Sequence, residues 1–270
     1  MLASLRNTFI LSVILLISQN IMSAALSDTL WNQTDDNGWK QGWWKKQYSN
    51  GELMYKGYFQ NNKPEGKMLR YYDDGNLRAE MLHSKGAEIT YATVYFRNGQ
   101  KGASGKYIRQ KKDSIWSYYS YYTGTLSYKE SYKMGLRDGP ATKYYATGPK
   151  AEVIFWKDDM KHGNWEQYYE DSTLRLSSQH AMDQIHGNYR LYNRNKILIL
   201  EGSYKNGRQD GEWKYYNEEG MLERSLRFSE GVILDKEEME KWVKEFMDNV
   251  EKDMGKIPEP DFDNFFERKP

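Results

Sequence analysis

Gly163-Asn164-Trp165-Glu166-Gln167-Tyr168-Tyr169 decides the fold of this chain. It mixes rings with polar residues over the length of one β-strand. Turns of the type Ser49-Asn50-Gly51 or Asp73-Asp74-Gly75 follow such stretches, and glycine there permits positive φ at little steric cost. A second strand comes next, such as Leu53 to Phe59, and it ends in another turn, as in Lys205-Asn206-Gly207 before Asp210-Gly211. Two strands and two tight turns make one unit of a β-meander.

Working outward, the unit repeats. The glycines that open a strand are Gly42, Gly66, Gly139, Gly163, Gly187 and Gly211, and neighbours within 42–66 and within 139–211 stand 24 apart. Thr90 and Ser114 occupy the two slots between, and one inserted residue between Trp116 and Gly124 explains a single step of 25. Side chains keep the same register. Two positions after the anchor stand Trp44, Met68, Trp116, Trp165, Tyr189 and Trp213, with Ala92 and Ala141 as small substitutes. Five positions after it stand Tyr71, Tyr95, Tyr119, Tyr144, Tyr168, Tyr192 and Tyr216. Seventeen on, counting past the insertion, come Phe59, His83, Tyr107, Tyr132, Trp156, His180, Tyr204 and Phe228.

The expected fold is all-β: an elongated, twisted antiparallel meander of eight hairpin repeats of about 24 residues, spanning 42–234. Equivalent rings of successive hairpins should form ladders, each cross-strand pair contributing about 0.2–1 kcal/mol. Residues 26–41 should cap the first edge. Asp235-Lys236-Glu237-Glu238 reads as a capping box, and Met239, Trp242, Val243, Phe246, Met247, Val250 and Met254 follow helical spacing. The chain should therefore end in an amphipathic capping helix over 235–254, with Trp242 and Phe246 buried against the last hairpin, and a flexible tail over 255–270.

Composition narrows the function. Of 270 residues 39% are apolar and 29% charged, but 23 Tyr and 9 Trp supply the area a core needs. Lys and Arg number 39 against 38 Asp and Glu, which leaves no electrostatic footprint for nucleic acid and no strong signal for an anionic membrane surface. The absence of Cys excludes disulfides and thiolate chemistry. Arg6, the apolar run Phe9 to Ile17 interrupted by Ser12, and the small residues Ser23, Ala24 and Ala25 read as a secretory signal over 1–25. The expected location is the periplasm or outer membrane, and with no Cys at the cleavage point the protein is not a lipoprotein.

Chemistry is hard to place on this pattern. His83 and His180 occupy a ring slot, while His162 and His186 occupy turn slots. Carboxylates are scattered, no helix start follows the glycine-rich turns, and no serine sits in a nucleophile motif. We expect no enzyme, no cofactor and no metal. A surface of Tyr interleaved with charge suits a protein partner, and flat rings also suit sugars. The candidate partner-binding residues are Tyr71, Tyr95, Tyr119, Tyr144, Tyr168, Tyr192 and Tyr216, joined by Phe262, Phe265 and Phe266 of the tail.

The pattern G-x-W-x-x-Y-Y, with a link of the type seen in Tyr204-Lys205-Asn206-Gly207-Arg208-Gln209-Asp210-Gly211, resembles the bacterial MORN-variant repeat over about 31–231. The opening Asn32-Gln33-Thr34-Asp35-Asp36-Asn37-Gly38 looks like exported members from Bacteroidetes-type bacteria. The resemblance implies a twisted hairpin sheet acting as an interaction scaffold or accessory subunit of the cell envelope, with envelope proteins as partners. A glycan- or peptidoglycan-binding module is the alternative, and an antitoxin-like or membrane-contacting role a weaker one.

Overall fold

The structure, a computed structural model, describes residues 30–84 and 86–254. The signal segment and the tail with Phe262, Phe265 and Phe266 lie outside the described residues. Among the described residues nineteen strands pair antiparallel in chain order, followed by one helix, Lys236–Asp253. Three of the nineteen are two-residue pieces: Gln33–Thr34, Val232–Ile233, and Gln184–Ile185, which continues as Gly187–Tyr192. Sixteen full strands remain, the number eight hairpins require.

The links between repeats are two-residue turns with both residues left-handed, such as Asn61 (φ 50°) and Asn62 (φ 65°), or Asp158 (φ 48°) and Asp159 (φ 67°). This turn matches the right-handed twist of its strands, and Asn and Asp tolerate its backbone. The same side chains join repeats. Asn62, Asp159 and Asp183 each accept the backbone N–H of the residue 22 or so earlier, Lys40, Arg137 and Lys161, at 2.8 Å. On the opposite margin the tyrosine six positions after the anchor does equivalent work. The hydroxyls of Tyr48, Tyr72, Tyr145 and Tyr169 donate to the carbonyls of Tyr71, Tyr95, Tyr168 and Tyr192 at 2.9, 2.8, 2.7 and 2.9 Å. Several repeats are thus stapled to a neighbour along one margin or the other, which suits a fold whose units bury little alone.

At most anchors the strand bulges. The pairing of Lys56 with Leu69 gives way to Tyr58 with Glu65, so two extra residues loop out around Gly66, which sits at φ 68°. Ser114 adopts the same backbone at φ 59° despite its Cβ. Thr90 does not: it is β-branched, for which a left-handed backbone is a true outlier. There the strands Leu77–Ser84 and Ile89–Tyr95 pair without a break from Ala79–Val94 to Ser84–Ile89, and the two residues freed from the bulge lengthen the turn instead. The repeat length is kept while its geometry changes.

Side chains two, thirteen, fifteen and seventeen positions after the anchor share one face and form the core. Trp116, Ala141, Ile154, Leu176, Trp213 and Leu226 are all buried there. The rings interlock between repeats: Tyr107 meets Trp116 at 4.8 Å and Tyr204 meets Trp213 at 5.0 Å, both edge-on. Trp116 and Trp213 also donate their indole N–H to the carbonyls of Lys106 and Ser203 beside the bulge, at 3.0 and 3.1 Å. The expected ladders of equivalent rings are present only in part: Tyr189 and Trp213 meet at 5.7 Å, while the other contacts join different slots.

The first edge is closed by the strand Gln33–Thr34, by a bridge from Trp31 to Trp43, and by Asn32, whose Oδ1 accepts the Lys45 N–H. The far end departs from expectation. Asp235 stands in the anchor slot of what would be a ninth repeat, and the chain turns into the helix there. No capping box forms: Asp235 makes no side-chain cap, because its carboxylate is taken by the Arg227 guanidinium at 2.6 Å and the Arg227 N–H at 2.6 Å. The burial expected of Phe246 is also corrected. Trp242 is half-buried, stacked on Arg224 at 4.0 Å, but Phe246 is 51% exposed, and Val243, Met247 and Val250 are exposed with it. The helix is pinned by its first turns and does not lie over the sheet.

Candidate binding surface

The face opposite the rings carries positions one, three and five after each anchor, since side chains alternate along a strand. The seven candidate tyrosines, Tyr71, Tyr95, Tyr119, Tyr144, Tyr168, Tyr192 and Tyr216, belong to it, and all are half-buried. They do not stack into a ladder; no ring contact joins them among the described residues. Their hydroxyls pair with same-face neighbours. Tyr168 donates to Glu166 Oε2 at 2.6 Å and Tyr216 to Glu201 Oε1 at 2.8 Å. Burial, reinforced by the Glu166 hydrogen bond and charge, pushes the Tyr168 phenol up to about 12. At Tyr119 burial acts upward too, but hydrogen bonds with Lys101 and Ser104 and the Lys101 charge outweigh it and hold the phenol below its usual value. Five of the seven, Tyr71, Tyr95, Tyr168, Tyr192 and Tyr216, thus have a carbonyl or a hydroxyl in a structural hydrogen bond, so the tyrosines form one bank of a surface more than free contact points.

The other bank escaped the sequence reading. Positions one and sixteen after the anchor face each other across the middle of this same face. In the N-terminal half they pair as Trp43–Tyr58, Lys67–Leu82, Leu82–Tyr91 and Tyr91–Lys106, with Ile115 beyond. Leu82, Tyr91 and Ile115 are 53%, 55% and 60% exposed, and Trp43 and Tyr58 are exposed as well. The row runs on through Pro140–Phe155, where Phe155 is exposed, and in the last three repeats the same slots pair as Asn164–Gln179, Asn188–Ser203 and Glu212–Arg227. One period thus carries two chemistries. The signal was in the sequence, as a slot whose occupants change character after Phe155.

Beside this second bank lies a trough of about 660 Å³, whose lining includes none of the seven tyrosines. Thr93, Ser104 and Ser117 form its floor, and Leu82, Tyr91 and Ile115 stand along its side. Its depth follows from residue size, because small hydroxyl residues fill the slots that hold Leu69 or Lys56 nearer the N-terminus. It lies over the straight junction at Thr90. Its charged margins are paired: Lys67 with Glu80 at 2.8 Å and Lys106 with Asp113 at 3.5 Å. A second hollow of about 370 Å³ follows at Trp31, Trp43, Lys56, Lys67 and Leu69.

The histidines lie elsewhere. His83 and His180 are buried on the ring face; burial depresses both imidazoles, most directly at His83, whose Nδ1 is 2.8 Å from Thr90 Oγ1. His162 and His186 are exposed, but not in turns as expected: His162 lies within the strand Met160–Tyr168, and His186 lies in the break between Gln184–Ile185 and Gly187–Tyr192. Among the described residues no three His, Asp or Glu side chains converge as metal ligands would. The trough offers apolar contact, hydroxyls and neutralised charge, which is chemistry for binding.

Comparison with known families finds the MORN repeat variant at 64–85 and 209–229, the units anchored on Gly66 and Gly211. The chain thus carries MORN repeats. No curated protein matches it.

Proposed function

We propose that this protein is a non-catalytic interaction module that binds a protein partner through the trough and apolar row of its N-terminal repeats. The observation that carries the reading is the contrast within one slot series: Tyr58, Leu82, Tyr91, Ile115 and Phe155 exposed in the earlier repeats, Asn, Gln, Ser, Glu and Arg in the last three. Scattered apolar residues are ordinary on a surface, but a contiguous row is a hallmark of contact. Repeats of this type occur generally in protein-binding or membrane-contacting modules. The ion pairs along the trough and the net charge of +1 favour the first, since anionic lipid attracts unpaired basic clusters. The charged, apolar and small-residue order of residues 1–25 supports export, and with it an envelope partner such as a bacterial complex that this chain scaffolds.

A photoreactive residue placed at 91, and separately at 188, tests the assignment in the mature protein. Crosslinking in intact cells should join one defined protein to position 91 and leave position 188 unlinked. The triple variant Leu82→Ser, Tyr91→Ser, Ile115→Ser should abolish recovery of that protein while the circular dichroism spectrum stays unchanged. Equal capture at both positions, or capture that survives the triple variant, rejects the surface.

A further inference from the structure

The first repeat carries an unbalanced charge pair. Lys45 and Lys56 are direct cross-strand partners on the face that bears the trough. Like charges so placed repel each other. In the equivalent slots of the repeat anchored on Gly187, Arg190 faces Glu201 in an ion pair at 3.7 Å. Among the described residues no carboxylate pairs with Lys45 or Lys56. Lys67 beside them is already held by Glu80, and Lys106 of the trough by Asp113. The unmet positive charge on this stretch of the face is therefore at its first end.

The two lysines border the hollow at Trp31, Trp43 and Leu69. Lys56 lines it, and Lys45 Nζ lies 4.9 Å from the centroid of Trp31. Trp31 and Trp43 meet at 6.1 Å, and Tyr58 stands edge-on to Trp43 at 5.7 Å. Trp43 and Tyr58 are exposed. Rings beside two unpaired lysines suit a ligand that joins aromatic side chains to carboxylates. The chain contains such a segment, outside the described residues: Asp261-Phe262-Asp263-Asn264-Phe265-Phe266-Glu267, with three Phe, three acids and no Lys or Arg. The two ends of the chain also differ in overall charge. Residues 31–70 hold seven Lys and Arg against four Asp and Glu, and residues 235–270 hold seven against twelve.

Reach decides which copy supplies the segment. Sixteen full strands about 4.8 Å apart put the first some 70 Å from the last along the sheet. The 18-residue helix is about 27 Å long, and the chain from Met254 to Phe266 adds at most about 43 Å. Both would have to run straight back along the sheet, yet Phe246 and Val250 are exposed and the helix does not lie over it. A second copy meets no such limit.

We propose that the hollow at Trp31 and Trp43 receives residues 261–267 of a second copy, so that the protein assembles head to tail. The Phe rings pack against the two indoles, and Asp261 and Asp263 neutralise Lys45 and Lys56. The contact joins two different surfaces, so each pair leaves one hollow and one segment free and the assembly can extend. The hollow adjoins the trough, but the inference does not depend on the protein partner assigned to it.

Sedimentation velocity of the mature protein from roughly 1 μM to 1 mM tests this. The sedimentation coefficient should rise with concentration, and less so in about 1 M salt, which screens the lysines. Two variants should each weaken association at least about tenfold: Lys45→Glu with Lys56→Glu, and Phe262→Ser with Phe265→Ser and Phe266→Ser. Mixed together, they should form a dimer and stop there, because the first retains the segment and the second retains the hollow. The proposal falls if the protein stays monomeric at about 1 mM, if either variant associates like the parent, or if the mixture does not dimerise. Ile115→Ser should leave association unchanged; a loss there would move the contact to the trough and overturn the assignment. If the double Glu variant alters the circular dichroism spectrum, Lys45→Gln with Lys56→Gln, which removes the repulsion along with the charge, takes its place.

Discussion

The indole of Trp213 lies face-on against the backbone of Gly202: a β-carbon at 202 would stand 2.3 Å from Trp213 Cδ2. Trp116 stands over Gly105 at the same 2.3 Å, and Met68 over Gly57 at 3.1 Å. At two places a larger facing residue goes with a small slot, Met81 with Ala92 and Glu130 with Ala141, whereas Ile154 faces the full ring of Trp165. Glycine opposite a large side chain is thus one way this core is packed, and the small slot at Ala141 leaves the hollow above it.

Gly202→Ala should therefore destabilise by about 1–3 kcal/mol, the usual cost of overpacking. Urea unfolding should show a lower midpoint with an unchanged slope. In a Trp213→Leu background the same alanine should cost clearly less, because the two residues share one contact. Equal costs in both backgrounds would mean that the close approach carries no strain.

The two substituted anchors should respond in opposite directions to glycine. Ser114 holds φ 59° against its own Cβ, a strain of about 1–2 kcal/mol, so Ser114→Gly should stabilise once about 0.5–1 kcal/mol of added chain entropy is subtracted. Thr90 has no such strain, is buried, and satisfies His83 Nδ1 at 2.8 Å. Thr90→Gly should destabilise by about 1–3 kcal/mol. Thermal melting of the two variants checks this, and shifts of the same sign would remove the account of the straight junction.

Stability should fall on mild acidification. Burial lowers the folded-state pKa of His83 and His180 below the ordinary 6.5, opposed at His83 by the Glu65 charge and at His180 by Asp183 and Glu152. Below 6.5 the unfolded chain takes up protons that the folded chain resists. The contribution is full above 6.5 and is lost progressively as pH falls from there toward the depressed folded values. Urea midpoints should drop between about pH 7.5 and pH 5.5, and His180→Phe should flatten the trend. A midpoint that rises on acidification would reverse the sign assigned to these groups.

Removal of the helix should be tolerated. Because Phe246 and its stripe are exposed, a chain ending after Asp235 should keep the urea midpoint of the repeat sheet. Asp235 must stay, since it holds Arg227 through its carboxylate. A chain ending before Asp235 should unfold at lower urea. If the longer truncation collapses or aggregates, the helix closes the edge after all.

Much of the architecture follows from local rules and could be read from the chain alone. The period of 24, the ring slots, the hairpin turns and the helical spacing after Asp235 are patterns of short range, and a strand or tight turn is largely specified by its own residues. The tyrosines after each anchor were legible as a series, but their role was not. Whether Tyr168 is a contact point or a hydrogen-bonded bank depends on Glu166 beside it and on Tyr145 reaching its carbonyl from the previous repeat. Only the tertiary structure decided which positions share a face, because a bulge at Gly66 and its absence at Thr90 reset the pairing without changing the repeat length. It alone decided that Leu82, Tyr91 and Ile115 line one trough, that the missing ring at Ala141 leaves a cavity, and that Phe246 stays in solvent. Exposure is a property of neighbours across strands, set by the size of the residue opposite, and no single repeat contains that information.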